Sequence, residues 1–239
     1  MRRSLLFLTC ALVLTITASH CTAGLISFTL GATPNLPPTD ANLIIDGGGF
    51  QGTLVTGTAT LDLPDHSTSS GTAQIVALDL TLTNGLSFDL PSLGAGVTAT
   101  TAPGDVSFSL VTPGAAAPIT PAIGGGNFDQ LGNQLVADGD LTISNSSTVD
   151  LSTLSISLTD FTLSGVGEGP PLGFGPNDLI LGAVFVIDEE LEVDGTTIPL
   201  IAGVQFSGIG TKPVKTVPEP GSAMILIGMG TVLLTRRRR

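Results

Sequence analysis

The chain has 239 residues, of which 42 % are apolar, a mean hydropathy of +0.47 and a formal net charge of −12. This is enough apolar matter for one large domain or two small ones, and it excludes an acidic disordered tail. Every acidic residue except Glu219 lies between residues 24 and 211, a stretch with no Lys or Arg, so partners held through their phosphates, nucleic acid and anionic lipid alike, are excluded. Divalent cations and cationic polymers stay compatible with such a field, but the favoured reading is plainer: the charge keeps a Gly-rich β protein soluble and its strand edges unpaired.

At the amino end, Arg2 and Arg3 precede an apolar stretch over 5–16 and small residues around Ala18 and Cys21-Thr22-Ala23. This is the layout of an export signal, since so short a run falls below the ~20 residues of a spanning helix. A signal peptide over 1–23 is expected, cleaved near Ala23, with Ala18 as the second choice. Cys10 and Cys21, the two cysteines of the chain, both precede that point, so the product would carry neither thiol nor disulfide. His20 just before Cys21 argues against a lipoprotein.

From residue 24 onward the period is two. Val55, Ala59, Leu61 and Leu63 alternate with Thr56, Thr58, Thr60 and Asp62; Val76, Leu78, Leu80 and Leu82 alternate with Ala77, Asp79, Thr81 and Thr83. Val106, Phe108 and Leu110 follow the same rule, as do Leu154, Ile156 and Leu158, which is the pattern of half-buried strands. Asn84-Gly85, Pro103-Gly104-Asp105, Pro113-Gly114, Asp138-Gly139 and Asp194-Gly195 supply turns between them. With Trp and Tyr absent, 31 Gly and 16 Pro, an acidic all-β exported domain is expected over 24–211, an antiparallel β-sandwich of jelly-roll-like or immunoglobulin-like outline. The uncharged, Pro- and Gly-rich stretch 112–126 is the best internal boundary, or else a long loop. A Gly triplet, Phe, Gln and Leu-Val pair recur from Gly47 and from Gly124, which a half-domain duplication or chance in a narrow composition would each explain.

Candidate chemistry is sparse. Asp65-His66-Ser67 sets three triad residue types side by side, but neighbours on an extended chain point to opposite faces and cannot form the relay of a serine hydrolase. His66 is the one histidine left after export, so zinc, iron and copper have no ligand set. The triplets Gly47-Gly48-Gly49 and Gly124-Gly125-Gly126 lack the Lys and the helix that make a phosphate loop, and no carboxylate pair stands out for glycoside hydrolysis. The body is therefore read as non-catalytic. One acidic cluster has geometry: on a strand, Asp188, Glu190, Glu192 and Asp194 share one face while Phe185, Ile187, Leu191 and Val193 share the other, with Glu189 the exception. A solvated charged face is the favoured reading, and a Ca²⁺ held by these oxygens, though not in an EF-hand, is the alternative.

The carboxyl end answers a different need. Two prolines in Val217-Pro218-Glu219-Pro220 keep Glu219 on extended, accessible backbone. A mostly apolar run over 222–235 then leads to Arg236, Arg237, Arg238 and Arg239, which the positive-inside preference holds in the cytoplasm. At these residues the chain resembles the PEP-CTERM sorting signal: a Pro-Glu-Pro motif, a short transmembrane helix and an Arg cluster, in that order. Pro218, Glu219 and Pro220 match the motif, with 212–221 as its linker, and 222–239 match the helix and tail. The Leu-Pro-x-Thr-Gly motif of a cell-wall sortase substrate is absent. The resemblance implies a bacterial protein delivered by the export machinery and signal peptidase. It would reside in the inner membrane during processing by exosortase, a membrane cysteine transpeptidase, and then reach the cell surface or extracellular matrix, in association with exopolysaccharide. It leaves the body open: a structural surface protein, or a module binding carbohydrate or Ca²⁺, the carbohydrate reading being weakened because Phe is the sole aromatic type available as a platform.

Overall fold

The computed structural model describes residues 24–31, 36, 39–144, 148–165, 175 and 177–213; the expected signal peptide, the Pro-Glu-Pro motif and the sorting helix lie outside the described residues. β-Strands make up 64 %, and helix among the described residues is limited to two 3-10 turns, Pro91–Leu93 and Leu151–Thr153. The all-β expectation is met.

The first nine strands are β1 (Leu25–Leu30), β2 (Asp40–Ile45), β3 (Gln51–Asp62), β4 (Thr72–Leu82), β5 (Ser87–Asp89), β6 (Thr98–Thr100), β7 (Ser107–Thr112), β8 (Ala117–Pro118) and β9 (Thr120–Ala122). The rest are β10 (Gly125–Asp129), β11 (Gln134–Asp138), β12 (Asp140–Ile143), β13 (Thr148–Asp150), β14 (Ser155–Ser157), β15 (Asp160–Gly165), β16 (Asp178–Val193) and β17 (Thr196–Thr211). A 13-stranded antiparallel sheet runs in the order β14-β11-β7-β4-β3-β1-β17-β16-β15-β10-β9, with β2 between β17 and β3 and β8 on β4; β13-β12-β6-β5 form a separate four-stranded sheet. The large sheet curls. Phe108 on β7 meets Phe185 on β16 edge to face at 6.2 Å, although four strands separate β7 from β16 along the path, so its two wings face each other across the core.

The buried apolar residues form one cluster that includes every described Phe except Phe50. Alternation places them there. In β17, Ile198, Leu200, Ala202, Val204 and Phe206 point inward and pair through a continuous register with β16, from Asp178↔Thr211 to Val193↔Thr196. The hairpin turns at Asp194 and Gly195, both at positive φ (49° and 80°), the two-residue geometry that matches strand twist.

One phase assignment needs correction. Val76 was expected inward with Leu78 and Leu80; it is half-buried, and Ala73 and Ile75 take the inward positions. The register of β3 on β4 slips between Thr60↔Ala77 and Leu61↔Ile75, a bulge that absorbs Val76 and lets both Ile75 and Leu78 face the core.

The stretch 112–126 is built into the fold. Its β8 pairs with β4, its β9 with β10, and Ala117 and Ile119 are buried, so it straps one wing to the other within a single core. A buried amide network pins it. Gln130 accepts from Ile75 N at 2.6 Å and donates to Gly114 O at 3.1 Å and Asn133 Oδ1 at 2.9 Å. Asn133 accepts from Gly114 N at 2.8 Å and donates to Leu158 O at 2.9 Å. The two Gly-triplet stretches do not correspond in structure: the first leads into the single 12-residue strand β3, the second into β10, a turn and β11.

Candidate functional site: an acidic strand end and an outer groove

The acidic row lies where its spacing put it. Asp188, Glu190 and Glu192 are exposed on the outer face of β16, opposite buried Ile187, Leu191 and Val193, and Asp194 sits in the hairpin turn at positive φ. Glu189 has the inward phase yet is exposed, because β15 pairs with β16 only from Leu179 to Ala183 and leaves β17 as the one strand partner of this end among the described residues. A charge facing inward at a free edge discourages pairing with another chain. Glu192 accepts from Thr197 Oγ1 at 2.9 Å. Among the described residues no three Asp, Glu, His or Cys side chains gather as metal ligands would.

The Asp65-His66-Ser67 loop forms no relay. Ser67 pairs with Ser70 at 2.9 Å, while His66, at φ 51°, keeps Nδ1 buried without a hydrogen bond, as Asp62 does its Oδ1. Asp46 serves the fold: nearly buried, it accepts from Ser92 N at 2.7 Å and Ser92 Oγ at 2.5 Å and ties the turn after β2 to the 3-10 turn. An interior void of about 30 Å³ lies among Leu43, Phe88, Phe108, Leu141, Ile187 and Leu200; apolar voids of this kind stay dry.

A different surface has the size and chemistry of a binding site. A groove of about 800 Å³ crosses the outer faces of β10, β15, β16 and β17, within the range of ligand sites. Register builds it in rows. Asn127 stands opposite Thr162, Thr162 opposite Gly182, and Gly182 opposite Ser207. In the next row Asp129 stands opposite Asp160, Val184 follows one step past the Phe161–Ala183 pair, and Gln205 is opposite Val184. Thr162 donates to Gly182 O at 3.2 Å. Leu36 borders one side; nearby, Thr39 Oγ1 holds Ser207, accepting from its N at 3.2 Å and donating to its O at 3.2 Å. Beneath the groove, Phe128 and Phe161 stack at 5.0 Å and 11°, so the polar outer pairs rest on a rigid aromatic inner layer. Among the described residues, none that lines it is cationic. Sequence reading missed this site, because Asp129 and Asp160 meet only through strand register.

The described body thus belongs to the class of acidic, antiparallel all-β domains with one continuous core. The chain carries a PEP-CTERM protein-sorting motif: the family model of that description matches residues 216–239, the carboxyl terminus. The motif covers Pro218, Glu219, Pro220 and Arg236 to Arg239 and no part of the body. Comparison with curated proteins and with solved structures gives no match. Such motifs are recognised by exosortase, and they imply export and membrane-associated processing.

Proposed function

We propose that this is a non-catalytic structural protein of the bacterial cell surface or matrix, sorted by exosortase and associated with exopolysaccharide. The sorting motif at 216–239 carries the reading. In it, 1–23 direct export and are removed by signal peptidase; the helix within 222–239 holds the chain in the inner membrane, with the four arginines inside; and exosortase acts at Pro218-Glu219-Pro220. Outside the cell the body is a sandwich-like domain whose wings pack face to face, without a resident metal, and the Asp188–Asp194 row is a solvated charged edge. Calcium at that row draws no support from the scattered carboxylates.

The test is intact-mass spectrometry of protein recovered from membrane, surface and medium fractions of the native host. A mass ending near Pro220 is expected, with full-length chain accumulating when Glu219→Ala is introduced or the four arginines are replaced by Gly. A mass retaining Arg239 at the surface, or unchanged delivery in both variants, would remove the sorting reading. The second reading, a carbohydrate-binding module, is favoured by the outer groove, whose polar lining does not require an aromatic platform.

A further inference from the structure

We propose that the groove across β10, β15, β16 and β17 binds a segment of a neutral polysaccharide, with Asp129, Asp160, Asn127, Thr162 and Gln205 as its hydrogen-bonding residues. The inference deepens the second reading above and depends on the sorting motif in no step.

The shape of the site comes first. Four neighbouring strands at their usual spacing give a floor about 14 Å across, wider than a single small molecule needs and open enough for a chain to pass through. Across the row of Asn127, Thr162, Gly182 and Ser207 the strands are hydrogen-bonded side to side, with β9 covering β10 at Asn127. In that row the backbone is spent, and only side chains face the ligand. An extended peptide is captured mainly by an unpaired sheet edge, which that row does not offer.

Charge then narrows the ligand. Among the described residues the lining holds two carboxylates and no cation, on a body with no Lys or Arg between residues 24 and 211. Uronates, phosphates and sulfates would enter without a counter-charge, which like charge penalises. The hydrogen-bond inventory points the same way. Carboxylates only accept, whereas the amides of Asn127 and Gln205 and the hydroxyl of Thr162 donate and accept. The ligand must bring an excess of donors placed close together, as the hydroxyls of a sugar chain are.

The Asp129–Asp160 pair adds an energetic argument. Like charges directly opposite on adjacent strands are destabilising, and among the described residues neither side chain has a hydrogen-bond partner that would account for its position in the fold. Hydroxyl donors shared between the two carboxylates would offset that repulsion. Between them and the amides, Val184 and the bare backbone at Gly182 leave an apolar strip where the C–H face of a sugar ring can lie, the part an aromatic ring plays elsewhere.

The experiment uses the full chain in a detergent without a sugar head group, titrated by isothermal calorimetry and saturation-transfer NMR. The probes are neutral hexaoses of glucose, mannose and N-acetylglucosamine, with an oligoguluronate as the anionic counter-probe. Saturable binding of at least one neutral hexaose, one site per chain and insensitive to salt, is expected. Asp160→Asn should weaken it about tenfold, the loss of one hydrogen bond to a charged group, while its melting temperature stays the same or rises. Glu190→Gln with Glu192→Gln should leave affinity unchanged. No saturable binding to any neutral hexaose, preference for the guluronate, or equal losses from the groove and β16-end variants would overturn the proposal. Failure of motif processing in the host would leave each of these outcomes as it stands.

Discussion

Asp188, Glu190 and Glu192 stand two residues apart along the free end of β16, whereas Asp129 and Asp160 are far apart in the chain and face each other across β10 and β15. Both sets lie on the outer surface. At the first, each side chain points into water beside an edge with one strand partner, so a row of like charges is tolerated and blunts that edge. At the second, the carboxylates are exposed as well, but they face each other across one strand pair, above a stacked Phe pair and within the groove. A row of acids conspicuous in sequence is here the less suited to a ligand, and the pair created by register is the better suited.

The comparison can be broken most severely from beneath. Phe161→Ala removes half of the stack under Asp129 and Asp160 and should cost about 3–5 kcal/mol in urea unfolding, because Phe161 is 2 % exposed. A loss no larger than that of a surface substitution would mean the groove floor is not rigid. Next comes Gln130, directly after Asp129. Gln130→Ala strands Ile75 N in the interior and leaves Gly114 O with Gln74 Nε2 alone, at roughly 1–3 kcal/mol, and should make the 112–126 strap the first segment cut in limited proteolysis.

Charge removal sharpens the contrast at smaller scale. Asp160→Asn should stabilise by about 0.5 kcal/mol, while Glu190→Gln should change stability by less than that. Thermal melts in EDTA and in millimolar Ca²⁺ should coincide for the natural chain; a rise in Ca²⁺ that vanishes with Glu190→Gln would restore the metal alternative. The smallest effect is at Asp150, whose carboxylate accepts from Ser152 N at 2.8 Å. That backbone hydrogen bond, with the Ser152 side chain, holds the Asp150 carboxyl below its ordinary pKa. A lowered carboxylate adds stability that is complete above the unfolded value and is lost as pH falls through the folded one. The stability difference between the natural chain and Asp150→Ala should therefore shrink as pH drops below 3.8, and a constant difference would reject the assignment.

Much of this was readable from residues two apart. Alternation identified β3, β7, the acid-bearing end of β16 and β4 from Leu78 onward with the correct inward faces, because a half-buried strand writes its environment directly into its sequence. Val76 was misplaced because a bulge shifts phase within an unbroken apolar run, and no local signal marks it. The 112–126 stretch reads like a linker since its anchors, Gln130 and Asn133, look like ordinary polar loop residues until their amides are found buried at 0 % and 1 % exposure. The groove was invisible for the most general reason: pairing of β10 with β15 is long-range, and register between strands is set by the whole fold rather than by either segment.

The body ends on β17, which is hydrogen-bonded to β1 and β16 near its carboxyl end, with Lys212 N donating to Asn177 O at 2.9 Å as the last tie among the described residues. A pull directed along this strand from beyond Pro213 would load its hydrogen bonds to β1 and β16 in shear, several at once, whereas a pull across the strand would peel them singly. The topology thus makes mechanical resistance at the end from which the sorting segment extends depend on the direction of the load.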